Sequence, residues 1–106
     1  MEGQTAAVLD EELTLDIDFG IILDEYLQPT DTIDQRKSWI LLQQMILDRL
    51  RDELPDCPVQ IRTVCNRGSW MVCRSATGHT RKAIRIAFIV SKILERGFWV
   101  WPERKR

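Results

Sequence analysis

The hydrophobic pattern of this chain switches between the period of a strand and the period of a helix, which restricts it to a mixed fold. From Leu13 the apolar residues Leu13, Leu15, Ile17 and Phe19 alternate with Thr14, Asp16 and Asp18, as a half-buried strand requires. Trp39, Leu42, Ile46 and Leu50 then recur at three- and four-residue steps, and Leu41 and Met45 widen the stripe to that of a core-facing helix. Asp31 and Thr32 supply N-cap side chains, Asp34 suits the first turn, and Pro55 stops the helix. Between strand and helix, Ile21 to Leu27 fits either a strand continued past a bulge at Gly20 or a short helix through Tyr26.

Val59 to Cys65 is rich in β-branched residues, and Ser69 to Ser75 reads as its partner. Asn66-Arg67-Gly68 suits a three-residue hairpin loop with Gly68 at the left-handed position. That turn sets Cys65 opposite Ser69, Val64 opposite Trp70, Arg62 opposite Val72 and Gln60 opposite Arg74 on one surface. Val59, Ile61, Thr63, Met71 and Cys73 turn toward the core. Thr77 to Thr80 offers caps for a second helix, whose buried stripe is Ala83, Ile86, Ala87, Val90, Ile93 and Leu94 and whose stop is Gly97. Phe98 to Trp101, ended by Pro102, reads as a final edge strand.

The expected order is β-α-β-β-α-β. This is an α+β fold, a two-layer α/β sandwich in which an antiparallel sheet of three to four strands carries two helices on one face. A chain of 106 residues has room for one such core. Residues 1–9 lack any period and read as a flexible N-terminal tail, leaving 10–106 as a single domain.

Charge divides along the chain. Residues 1–58 hold fourteen Asp and Glu against four Lys and Arg, and residues 59–106 hold two against eleven, so a net charge of -1 conceals about -10 and +9. A field of one sign over one surface selects partners. No apolar run approaches a membrane span, and Met1-Glu2-Gly3-Gln4 lacks the basic start of a secretory signal, so an intracellular protein is expected. Cys57, Cys65 and Cys73 lie too far apart for a paired zinc motif and read as reduced thiols.

Two surfaces are candidates for partner binding. On the open sheet face, Arg62, Trp70 and Arg74 would stand near Trp99 and Trp101, a platform on which single-stranded nucleic acid or RNA could stack, or a protein could pack. Asp16 and Asp18 would share that face if the first strand is central, pairing with Arg62 or Arg74 and cancelling the field locally. The second surface is the basic side of the second helix, with Arg81, Lys82, Arg85, Lys92 and Arg96, continued by Arg104-Lys105-Arg106. Asp16 and Asp18 also project from one side of a strand, as a pair that could hold a divalent metal, but no acidic cluster elsewhere is placed to complete the site. Neither His79 nor Thr77-Gly78-His79-Thr80 completes a nucleophilic triad or a phosphate loop. No enzymatic activity and no cofactor or metal is expected.

Lys82-Ala83, Ile89-Val90, Lys92 and Gly97-Phe98-Trp99-Val100 resemble the closing helix and strand of matrix proteins of non-segmented negative-strand RNA viruses, over about a fifth of the chain. The resemblance implies self-association and assembly on anionic membranes, without assigning roles to individual residues. The expectation is therefore a non-enzymatic, self-assembling or protein-binding module, a homo-oligomer or the holder of a protein partner. Nucleic-acid binding through the basic hairpin and second helix is the alternative, and matrix-like binding to an anionic membrane is another.

Overall fold

A computed structural model of the protein describes residues 13–28, 32–65, 68–75 and 80–102. The expected tail at 1–9, the Asp31 cap, the Asn66-Arg67 turn, the loop from Thr77 to His79 and the basic end at Arg104 to Arg106 lie outside them. The order is β1 (Leu13–Ile17), α1 (Phe19–Tyr26), α2 (Gln35–Glu53), β2 (Val59–Thr63), β3 (Met71–Ser75) and α3 (Thr80–Arg96). Among the described residues it is a small α+β fold of three strands and three helices.

The alternating segment forms β1, and its strong apolar face explains its place. Leu13, Leu15 and Ile17 are wholly buried, and β1 sits at the centre of a sheet ordered β2-β1-β3. It pairs parallel with β2 and antiparallel with β3, so the sheet is mixed and not antiparallel as expected. The expected hairpin is opened: β1 lies between its two arms. The expected levels survive nonetheless, since Arg62 and Val72 both partner Asp16, and Gln60 and Arg74 both partner Thr14. The cause lies in the connection. Residues 64–70 separate the observed strand ends, whereas a three-residue turn joins strands only about 5 Å apart, half the distance across an inserted strand. Extra bonds extend the central strand at both ends: Leu13 N donates to Pro58 O at 2.9 Å at its start, and at its finish Val64 N donates to Ile17 O at 3.0 Å and Asp18 N donates to Trp70 O at 2.9 Å.

Asp18 does not continue the strand. Its carboxylate accepts from Ile21 N at 3.2 Å, capping α1, which resolves the ambiguous segment as a helix and places Gly20 inside its first turn. The N-cap of α2 is Asp34, whose side chain accepts from Lys37 N at 3.0 Å, in place of the expected Asp31 or Thr32. Ser38, Leu42, Ile46 and Leu50 are its buried stripe. In α3 the buried positions are Ile86, Ile89, Val90 and Leu94. Both long helices pack against the sheet and against each other, on the side of Leu13, Leu15 and Ile17.

The expected fourth strand is absent among the described residues. Gly97, at φ 75°, leaves α3 through the left-handed region, and Val100 N donates to Gly97 O at 3.1 Å, so the aromatic segment turns instead of extending. Trp99 is drawn fully into the core, where its Nε1 donates to Leu94 O at 3.1 Å and its ring meets Phe19 edge-on at 5.8 Å. Burial of a ring this large outweighs the few ladder bonds that a short edge strand would make. The chain then joins the start of α2: Trp101 N donates to the buried Ser38 hydroxyl at 2.8 Å, and Asp34 N donates to Trp101 O at 2.8 Å.

Candidate functional site

The even-numbered residues of the strands form the open face of the sheet, with Arg62 and Arg74 exposed on the two outer strands and Asp16 between them. Arg74 Nε lies 3.1 Å from Asp16 Oδ2, and Arg62 Nε lies 3.7 Å from Asp16 Oδ1. The carboxylate is only 13% exposed, while each arginine is 56% exposed. A nearly buried anion thus draws two partly solvated cations toward one point, holding both outer strands to the central one and reducing the positive field of the face. Asp16 Oδ1 has no hydrogen-bond partner, its distance to Arg62 Nε being beyond bonding range. Asp18 caps α1, so the two carboxylates do not form a metal pair; among the described residues no group of three His, Cys, Asp or Glu is placed to hold a cation.

The aromatic part of the expected platform is dispersed. Trp99 lies in the core, so its placement on the open face is corrected. Trp70 precedes β3 and packs half-buried against the core instead of standing between the arginines. Trp101 is exposed, but at the start of α2, where Lys37 Nζ sits 5.3 Å from its ring centre. Of the five residues expected together, Arg62 and Arg74 alone are joined, through Asp16.

The outer side of α3 differs. Inward placement of Ile86, Val90 and Leu94 points Ile84 and Phe88, one turn apart, at solvent, where they are 66% and 61% exposed. Phe98, just past the helix, is 70% exposed. Arg85, Lys92 and Arg96 are exposed on the same helix and Lys82 is half-buried, while the Arg81 side chain lies outside the described set. Arg85 Nη2 meets Glu53 Oε1 of α2 at 2.8 Å, and Arg49 Nε meets the other Glu53 oxygen at 3.6 Å. Lys92 lies 3.8 Å from Glu95 and 5.3 Å from the Phe88 ring centre. Arg49, Glu53, Arg85, Lys92 and Arg96 rim a half-open groove of about 430 Å³ between α2 and α3, with Phe88, Ile89 and Ile93 as its apolar lining. A second hollow, of about 390 Å³, lies where α2 meets β2 and is lined largely by leucines, prolines and Cys57.

The exposed pair Ile84 and Phe88 was missing from the sequence expectation. Its signal was present: both fall outside the stripe formed by Ala83, Ile86, Ala87, Val90, Ile93 and Leu94, and a large apolar residue off that stripe must face outward. Among the described residues no helix is long and apolar enough to cross a membrane. No family model matches this chain, and neither a curated protein nor a solved structure matches it.

Proposed function

We propose that the protein is a non-enzymatic binding module that self-associates, or holds a partner protein, through the outer side of α3. The observation that carries this reading is the exposure of Ile84, Phe88 and Phe98 beside Arg85, Lys92 and Arg96. Solvent-facing apolar side chains within a charged rim are what a contact surface needs: the apolar groups supply affinity, and the charges select the partner. The open sheet face supports the nucleic-acid reading less well. Asp16 stands between its arginines, and Trp99 supplies no stacking surface there.

Light scattering across protein concentration and salt tests the proposal. Mass should rise with concentration and fall for Phe88→Ala, and added salt should weaken the charge-led part of the contact. A monomer under all conditions would end the self-association reading. A mass shift with single-stranded or duplex oligonucleotides at low salt would favour nucleic acid instead.

A further inference from the structure

We infer that the groove between α2 and α3 receives an acidic amphipathic helix of a partner protein. The inference rests on the binding-module reading and names its partner's chemistry. The groove has the two properties that helix recognition uses: concavity with an apolar lining, and charge at its rim. Phe88, Ile89 and Ile93 line it, and its volume of about 430 Å³ suits a few aliphatic side chains presented at three- and four-residue steps.

The rim selects the sign. Arg49, Arg85, Lys92 and Arg96 border the groove, and Glu53 is the single carboxylate in its lining. Glu53 is already shared between Arg49 and Arg85, and Lys92 reaches Glu95 only at 3.8 Å. Among the described residues Arg96 meets no carboxylate. Four cations against two carboxylates leave an excess positive field over an apolar floor. An incoming helix with leucines on one face and glutamates flanking it satisfies both. A flat bilayer would leave the concave floor unfilled and would press Glu53 and Glu95 toward anionic headgroups. A nucleic-acid backbone would satisfy the rim but leave the apolar floor without contact.

The test uses a dye-labelled synthetic helix carrying Leu at three- and four-residue steps with Glu on both flanks, followed by fluorescence anisotropy against the full chain. Saturable binding is expected, weakened about tenfold by Phe88→Ala and again by Arg96→Glu, and unchanged by Gln44→Ala on the exposed side of α2. The same leucine pattern flanked by Lys should not bind. Unaltered circular dichroism establishes that the variants fold, and Arg96→Glu keeps the test open if Phe88→Ala does not. Equal binding of the Glu and Lys helices, or no binding of the Glu helix, overturns the inference. If the Glu helix fails while Phe88→Ala still reduces concentration-dependent mass, the binding-module reading stands and only the partner assignment falls. If both experiments are negative, both readings fall. Sedimentation with phosphatidylserine vesicles that Phe88→Ala abolishes overturns the acidic-helix assignment in favour of a lipid surface.

Discussion

The open face of the sheet and the outer side of α3 are both rich in arginine, yet they use it differently. On the sheet, one nearly buried carboxylate gathers Arg62 and Arg74, and the large apolar residue exposed there is Val72. On α3, Arg85 pairs with Glu53 at 2.8 Å and Lys92 lies 3.8 Å from Glu95, but Arg96 meets no carboxylate among the described residues, and Ile84 and Phe88 stand in the open beside them. The first arrangement ties the outer strands to the central one; the second leaves Arg96 and the apolar side chains of Ile84 and Phe88 exposed. What separates them is that the sheet holds its counter-charge nearly buried at the centre of three strands, whereas the carboxylates beside α3 lie nearer solvent and leave Arg96 and two large apolar side chains uncovered.

The largest effect tests which surface owns the aromatic residues. Trp99→Ala should cost about 3 to 5 kcal/mol by urea unfolding, because it empties a core position, whereas Phe98→Ala next to it should change stability by less than about 0.5 kcal/mol. A small loss at Trp99 would return that ring to the sheet surface and erase the contrast. Next in size, Asp16→Ala should cost about 1 to 2 kcal/mol, discounted because both arginines are more than half exposed, while Arg96→Ala should stay within about 0.5 kcal/mol. Equal costs would mean that the α3 cations are also structural.

The smallest effect concerns Tyr26 of α1, the chain's single tyrosine. Burial pushes its phenol above the usual 10.0, and the nearby carboxylates of Glu25 and Glu95 push the same way. Phenolate absorbance should therefore rise at higher pH in the folded protein than in urea. Because the folded form holds the proton more tightly, the associated stability is fully present below the unfolded value and is lost as pH rises through the folded one. Glu95→Gln should bring the titration partway back. A titration unchanged by that substitution would remove Glu95 from the surroundings of Tyr26 and place its influence on the α3 side alone.

The residues that read most easily in the sequence are those whose neighbours are close along the chain. The stripe Leu42, Ile46 and Leu50, the inward face Ile86, Val90 and Leu94, the glycine stop at Gly97 and the inward parity of Ile61 and Cys73 all follow from local periodicity. Even the levels of Arg62 with Val72 and Gln60 with Arg74 were legible. What local pattern did not disclose was the strand standing between them. The candidate surface was legible directly in its cations Arg85, Lys92 and Arg96, whereas its apolar members Ile84 and Phe88 were legible only by exclusion, as large apolar residues lying off the buried stripe. Phe98 and Trp99 show the limit most sharply: adjacent aromatic residues end 70% and 0% exposed because the turn after Gly97 directs one outward and the other under Phe19.

The sequence by itself determined the main periodic elements, the helix stop at Gly97 and the faces that turn inward, because these depend on backbone preference and on the spacing of apolar residues within a single segment. Tertiary structure alone decided that β1 divides β2 from β3, that Trp99 belongs to the core, and that Asp16 is held nearly buried between Arg62 and Arg74 while Arg96 at the groove beside α3 meets no carboxylate among the described residues. Each of those outcomes depends on a contact between distant segments, and the free energy of burying a ring or pairing a charge is settled only when those segments meet.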